Sequence, residues 1–200
     1  MKQPFQLNRR NHAHERPNVD DVHIRTARLD DAAAIAEIYN QGIEDRGATY
    51  ETRLRSAGDQ QAWLQAIAGR YPAVVAQIDD EIVGWAGAGP YRDRECYRGI
   101  GEFSMYVHRD WRRRGVGNLL LAGLISEAER LGLWKLLSRI FPFNEVSRAL
   151  CRKHERRQRD CVVYARLRIA NPKLDSVEKR VQPNVPPNLF WIINAFCRHQ

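Results

Sequence analysis

Long hydrophobic segments are missing from this sequence of 200 residues. Its longest apolar stretches, residues 119–125 and 190–197, are far shorter than the roughly 18 residues that a membrane-spanning helix needs. The first residues, MKQPF, also lack the apolar core of a secretory signal. We therefore expect a cytoplasmic protein without a membrane span.

Cysteine is scarce, and no two cysteines form a C-x-x-C pair. This spacing argues against a zinc site and against a disulfide framework, and it suits a reducing compartment. His12 and His14 stand close together, but no third ligand lies near them in the sequence, so we expect no bound metal. The four cysteines are Cys96, Cys151, Cys161 and Cys197.

The composition is that of an ordinary globular chain, with 44% hydrophobic and 28% charged residues. It excludes collagen, a coiled-coil rod and a wholly disordered protein. The net charge of +8 gives a surface that attracts anions, which leaves nucleic acid, membrane phosphates, acidic metabolites and a polyphosphate cofactor open. The basic runs 112–114 and 156–159 lack interleaved aromatics and a known reading module, so nucleic acid is the less favoured partner.

Residue patterns divide the chain into one domain with an extension at each end. Residues 1–21 are polar and show no apolar periodicity, which predicts a flexible N-terminal extension. Residues 169–200 contain four prolines and predict an irregular C-terminal tail. The domain itself covers residues 22–168.

Within the domain, period-two and helical patterns alternate in the order β-α-α-β-β-β-α-β-α-β. This order indicates a mixed α/β (α+β) domain, without internal repeats and without a Rossmann pattern. Alternation in the strand at 101–108 places Glu102, Ser104 and Tyr106 on one face. The strands are predicted at 22–27, 73–78, 81–89, 101–108, 136–141 and 160–167, and the helices at 30–43, 56–69, 117–131 and 144–154.

A glycine-rich turn follows the strand at 101–108 and leads directly into a helix. Glycines there let backbone N–H groups converge, and the helix adds the positive end of its dipole, so phosphate is the natural ligand. A Walker loop is excluded because Asn118 follows Gly117, and a dinucleotide fingerprint is excluded because Leu120 stands where a third glycine is needed. A plain glycine-rich helix start on a basic surface remains the alternative. The turn comprises Arg112, Arg113, Arg114, Gly115, Val116, Gly117 and Asn118.

The R-x-x-G-x-G pattern resembles the pyrophosphate loop of GCN5-related N-acetyltransferases (GNAT). That resemblance implies a single GNAT-like domain with a mixed, mostly antiparallel sheet flanked by helices, and acetyl-CoA as cosubstrate. It implies that Met105, Tyr106 and Val107 form a strand splayed from the strand at 136–141 and bind the pantetheine arm. It also makes Asn144 a cofactor contact, although Asn144 is equally suited to cap the helix it precedes.

Several separated blocks narrow the resemblance to the phosphinothricin acetyltransferase group, which includes arsinothricin and methionine-sulfone enzymes. The similarity runs from about residue 24 to residue 153. It implies acetylation of the α-amine of a small amino-acid analogue, and a homodimer is common in the group. The blocks are IYNQGI (38–43), ATYE (48–51), GWA (84–86), YR (91–92), EFSMYV (102–107) and LLSRIFP (136–142).

The resemblance also assigns roles around the reacting groups. Glu102 is the expected general base, with a surface glutamate as the alternative. A backbone N–H near Val107 is expected to stabilise the oxyanion, and Cys151 stands where a tyrosine usually protonates the leaving thiolate. The expected substrate-binding residues, whose alternative is a set of solvated loop side chains, are Thr49, Tyr91, Arg92 and Arg94.

The sequence departs from this group after Lys153, where a Gly-Phe pair, a strand and a hairpin normally follow. Here the predicted last strand comes almost at once, so the penultimate strand is missing and the last strand should lack its antiparallel partner. A degenerate paralogue, a strand from a second copy and a tail that covers the gap all remain open. We expect acetyl-CoA binding with weakened catalysis, and an acetyl-CoA-binding protein without activity is the alternative.

Overall fold

The computed structural model describes residues 18–154 and 162–167. The predicted order of strands and helices is confirmed over these residues. Short 3₁₀ turns precede α1, β4 and α3. The strands are β1 (His23–Thr26), β2 (Ala73–Ile78), β3 (Glu81–Pro90), β4 (Ile100–Val107), β5 (Lys135–Ile140) and β6 (Val162–Leu167). The helices are α1 (Ala32–Glu44), α2 (Ala57–Ile67), α3 (Val116–Arg130) and α4 (Glu145–His154).

The two predicted extensions fall largely outside the described residues, namely 1–17 of the first and all of the second. Val19–Asp21 form a 3₁₀ turn, and Val19 packs against the core. No helix in the described part of the chain is both long and apolar enough to cross a membrane.

The strands form a mixed sheet in the order β1-β2-β3-β4-β5-β6 across the described residues. The first four strands pair antiparallel, whereas β4–β5 and β5–β6 are parallel. Helices α1 and α2 cover one face, because a Cβ built on Gly42 would meet Tyr106 of β4 and one built on Gly87 of β3 would meet Trp63 of α2. Helix α3 covers the other face, where Leu120 lies against Gly84.

The last strand has no antiparallel partner in the described residues, as the sequence analysis expected. It pairs with β5 in parallel, from Lys135 beside Val162 to Ile140 beside Leu167. The chain leaves the end of β5 and passes through α4 before it returns, and a strand reached by such a crossover runs parallel to its neighbour. Without an intervening strand, β6 therefore lies directly beside β5.

The core lies between the sheet and the helices on both faces. Helix α3 contributes Leu120, Leu121 and Leu124, which are fully buried, and α1 contributes Ile35 and Ile38. The helical spacing of these apolar positions explains why one side of each helix faces the sheet. Burying each such side chain contributes about 1.5–3 kcal/mol, which fixes the strands that carry the site.

Candidate active site

An opening separates β4 from β5 over half of their length. The two strands pair only from Ile100 to Glu102 on β4, opposite Lys135 to Leu137 on β5. Beyond that point β5 continues beside β6, whereas β4 continues beside β3 up to Val107. The predicted splay between these strands is therefore present, and it leaves one edge of residues 103–107 without a strand partner in the described residues.

The directions of the backbone N–H and C=O groups at this edge follow from the alternation along β4. The N–H of His108 donates to the carbonyl of Val83 on β3 at 2.9 Å. Because successive residues of a strand direct their N–H and C=O groups to opposite sides, Tyr106 also bonds toward β3, and Met105 and Val107 direct theirs into the opening. An extended ligand with amide groups fits this edge as an added strand.

The glycine turn stands at the far end of β4. Gly115 has a φ of +96° and Arg113 a φ of +63°, so the chain reverses sharply before α3 begins at Val116. The N–H of Asn118 donates to the carbonyl of Gly115 at 2.9 Å, and the amides that precede it in the first helical turn have no helical acceptor. They form the positive end of α3, where a phosphate binds favourably.

Gly117 keeps a crevice open between this turn and β4. A Cβ at this position would lie 3.4 Å from Leu150, 3.8 Å from Met105 and 3.9 Å from Val107. A larger side chain would fill the space that joins the amide turn to the free edge of β4. The crevice and the free edge together fit a ligand that carries a diphosphate on an amide-containing arm.

The three arginines of the turn have different surroundings. Arg112 donates to Asp45 at 2.6 Å and, through Nε, to the Val107 carbonyl at 3.1 Å, so it holds the turn against α1 and β4. Arg114 lies over the ring of Trp111 at 5.0 Å. Arg113 is exposed. Burial opposes ionisation of Asp45, but hydrogen bonds from Arg112 and a second arginine outweigh it and hold the pKa of Asp45 below its ordinary value.

The two predicted asparagines join helices around the opening. Oδ1 of Asn144 accepts the Ser147 N–H at 3.1 Å and caps α4, while its amide nitrogen lies 3.4 Å from the Gly47 carbonyl. Oδ1 of Asn118 contacts Nε2 of His154 at 3.0 Å. Burial, with a smaller effect of Lys153, lowers the pKa of His154, so the neutral ring is favoured there. The cofactor contacts expected of both asparagines stay predictions.

Glu102 lies where β4 and β5 begin to separate. Its side chain is 13% exposed and forms an ion pair with Arg139 of β5, which is 18% exposed. Glu102 is therefore a partly buried carboxylate and not an exposed surface residue. Arg139 had no predicted role, although it lies two residues after Leu137, the register partner of Glu102, so its side chain is on the same face of the sheet as that of Glu102.

The predicted substrate residues come from two separate loops. Arg92 stacks over Tyr91 at 5.3 Å and over Tyr97 at 5.6 Å, so its guanidinium is oriented by two aromatic rings. Arg94 in the same loop is exposed. Thr49 lies in the loop between α1 and α2, where its hydroxyl accepts the N–H of Glu51 at 3.1 Å.

The α1–α2 loop is fixed at both ends by contacts that the sequence did not indicate. Asn40 pairs with the backbone of Arg55 through two hydrogen bonds of 2.9 and 2.7 Å. Arg55 in turn donates to Glu51 at 2.9 Å through Nε. The ring of Tyr50 meets that of Phe141, just after β5, edge to face at 4.5 Å. The loop therefore spans from α1 to the end of β5.

Two further predicted residues, Tyr106 and Cys151, pack inside the fold. Tyr106 packs against Tyr39 at 4.7 Å and stacks on Trp85 at 5.4 Å, on the face covered by α1 and α2. Its backbone faces β3, so the residues on either side of it line the opening. Cys151 is buried in α4, as expected for helix packing.

Comparisons with known proteins agree with this geometry. The profile described as "Acetyltransferase (GNAT) family" matches residues 33–155. The chain is 36% identical over 126 residues to the L-amino acid N-acyltransferase MnaT of Escherichia coli, covering 62% of this chain and 73% of that protein. It is 34% identical over 126 residues to the L-methionine sulfoximine/L-methionine sulfone acetyltransferase of Salmonella typhimurium, with the same coverage.

A solved structure extends the comparison to the cosubstrate. The GNAT superfamily phosphinothricin acetyltransferase of Sinorhizobium meliloti, solved in complex with acetyl-CoA, superposes with a TM-score of 0.63 at 31% identity. The match covers 67% of this chain and 74% of that one. The chain belongs to the GNAT acetyltransferase family. It is an acetyl-CoA-dependent N-acetyltransferase of the phosphinothricin acetyltransferase-like group.

Proposed function

We propose that this protein acetylates the α-amine of a small amino acid whose side chain ends in a phosphinate, arsinate, sulfone or similar polar group. The observation that carries the proposal is the partly buried carboxylate of Glu102 at the point where β4 and β5 separate. The similar proteins described as an L-amino acid N-acyltransferase and an L-methionine sulfoximine/L-methionine sulfone acetyltransferase support this class of acceptor.

The residues around the opening fit acetyl-CoA, which supplies the acetyl group as a thioester. The free amides of Gly115, Val116 and Gly117 would hold the diphosphate, with Arg113 and Arg114 adding positive charge. The backbone of Met105 and Val107 would bind the amide-containing arm. Arg112 would contribute by holding the turn in place, because Asp45 and the Val107 carbonyl already occupy its guanidinium.

Glu102 would supply the acid–base chemistry. An amino-acid ammonium must lose a proton before its nitrogen can attack a thioester carbonyl, and Glu102 would accept that proton directly or through water. The C–N bond then forms, the nitrogen gives up its second proton to water as the C–S bond breaks, and the leaving thiolate takes a proton from water, since Cys151 is a poor donor. The backbone N–H of Val107 is suited to stabilise the developing oxyanion.

The β3–β4 loop would recognise the polar head of the acceptor. A guanidinium pairs with phosphinate, arsinate or carboxylate through parallel hydrogen bonds, and Arg92 is already oriented by Tyr91 and Tyr97. Arg94 would supply a second cation from the same loop. Thr49 would approach the acceptor from the α1–α2 loop.

An acceptor panel tests the proposed function directly. Purified protein is incubated with acetyl-CoA and phosphinothricin, arsinothricin, methionine sulfoximine or methionine sulfone, with unmodified glutamate and methionine as comparison acceptors. We expect CoA release and an N-acetylated product, identified by mass spectrometry, with at least one of the four analogues. Absence of product with all of them, under conditions where acetyl-CoA binds, would contradict the acceptor class.

The direct pairing of β6 with β5 supports a second candidate, an acetyl-CoA-binding protein with weakened or lost catalysis. The resemblance implies a hairpin at this place whose residues close the substrate site, and the described residues contain no such hairpin. Calorimetric binding of acetyl-CoA without turnover of any acceptor would favour this candidate over the enzyme.

A further inference from the structure

The ion pair between Arg139 and Glu102 bridges β4 and β5 at the last point where they are paired. Glu102 lies beside Leu137 in the parallel register, and Arg139 comes two residues later, after the strands have separated. Its side chain therefore reaches back diagonally across the start of the opening.

Arg139 contacts only one of the two carboxylate oxygens of Glu102. Both Nε and Nη2 of Arg139 bind Oε1 of Glu102, with Nε at 2.5 Å. Oε2 is therefore left to exchange a proton with another group. Because both side chains are largely shielded from solvent, the charge–charge attraction is screened less than in an exposed pair.

The backbone makes this arrangement rigid. Both partners sit on strands, and Leu136, which precedes Leu137 on β5, is fully buried in the core. A small displacement of a catalytic group can reduce a rate by about 10²-fold, so the orientation of a base is itself a contribution to catalysis. A guanidinium that donates two N–H groups to one oxygen restricts the carboxylate more than a lysine ammonium would.

We propose that Arg139 is a positioning residue, which holds Oε1 of Glu102 so that Oε2 receives the proton from the acceptor amine. The inference rests on the proposed function, since it takes Glu102 as the base. Arg139 itself touches neither the amine nor the thioester in this scheme. The proton passes from the ammonium to Oε2, and the bonds of Arg139 to Oε1 are kept throughout.

Kinetics of Arg139→Gln and Arg139→Lys separate positioning from other roles. We expect Arg139→Gln to lower kcat at least about tenfold while the KM for the acceptor changes less than about threefold. Arg139→Lys should recover part of kcat, because the charge returns without the fork. The calorimetric Kd for acetyl-CoA should stay unchanged in both variants.

A double-mutant cycle shows whether Arg139 acts through Glu102. In the Glu102→Gln background, adding Arg139→Gln should lower kcat further by less than about threefold, because the oriented base is already absent. Arg130→Gln is the matched control, since it removes an exposed arginine at the end of α3 that pairs with Glu127 of the same helix. The control should keep the wild-type kcat and KM.

Each contrary result has a distinct meaning. A raised KM with an unchanged kcat in Arg139→Gln would make Arg139 a substrate-binding residue and overturn the inference. Independent losses from the two substitutions, or a fall in kcat matched by a loss of folded protein in circular dichroism, would overturn it as well. A wild-type protein that acetylates no acceptor overturns the proposed function and the positioning role together, whereas the other outcomes leave the proposed function standing.

Discussion

Glu102 is the residue on which the proposed chemistry depends most directly. We expect Glu102→Gln to lower kcat by about 10²–10⁴-fold, the usual contribution of a general base, because the amide cannot accept the proton. The acetyl-CoA Kd, measured by calorimetry, should change little, since the free edge of β4 and the amide turn are untouched. A variant with the wild-type kcat would exclude Glu102 as the base.

Gly117 lines the crevice in which we propose that acetyl-CoA binds. Gly117→Val should weaken acetyl-CoA binding by at least about tenfold, because its methyl groups would project toward Leu150 and Met105 and fill the space above β4. Gly58→Ala in α2 is the control, since the nearest atom to its added Cβ is a serine hydroxyl at 3.7 Å. Unaltered affinity in Gly117→Val would place the cofactor elsewhere.

At the residue scale, the sequence pointed to Glu102 as the candidate base but did not predict its ion-pair partner. Glu102 could be chosen because it stands on a recognisable strand just before a recognisable turn. Arg139 lies 37 residues away along the chain, and its approach depends on how β4 and β5 are aligned. Alternation within one strand gives the face of a side chain, but it contains no information about register between strands.

At the element scale, the Ser56–Asp59 cap at the start of α2 makes the stability of the protein depend on pH. Asp59 accepts the N–H of Ser56 at 2.8 Å and donates its own N–H to the Ser56 hydroxyl at 3.1 Å. The backbone bond from Ser56, outweighing partial burial and aided by the Ser56 hydroxyl and Arg53, lowers the pKa of Asp59 below its ordinary value of 3.8. Its contribution to stability is therefore present above that value and is lost as the pH falls through the lower pKa of the folded state.

The corresponding prediction concerns Asp59→Asn. The variant should have a lower Tm than the wild type at neutral pH, and the difference should shrink as the pH is lowered toward and below 3.8. Ser56→Ala provides a companion measurement, with an expected loss of about 1 kcal/mol from the missing cap. Thermal unfolding followed by circular dichroism across this pH range gives both, and a constant Tm difference would refute the linkage.

The elements themselves were largely predictable, and one feature of their arrangement was not. Strong alternation and helical spacing placed strands such as β2 and helices such as α3 within a few residues of their observed bounds. The parallel pairing of β6 with β5 follows from the crossover through α4, whereas the sequence pattern indicated only that β6 would lack an antiparallel partner. The fixing of the α1–α2 loop by Asn40 and Phe141 also depends on tertiary contacts, which local patterns do not specify.

At the scale of the whole molecule, cosubstrate binding should be visible as stability. A ligand present at 100 times its Kd stabilises the folded state by about 2.7 kcal/mol, which for a chain of this size raises Tm by about 5–10 °C. Acetyl-CoA should produce such a rise in thermal unfolding of the wild type and a smaller one in Gly117→Val at the same concentration. An equal rise in Tm in both proteins would show that acetyl-CoA does not bind in the crevice beside Gly117.

The crossover through α4 has a consequence for how the chain tolerates change in length. A strand reached by a helical crossover runs parallel to its neighbour, so the residues between α4 and β6 can change in number without reversing the direction of β6. In the described residues β6 pairs with β5 alone, so such changes do not alter the pairs that β4 makes with β3 and β5. Sequence changes between α4 and β6 can therefore accumulate while Glu102 and Arg139 keep their mutual geometry.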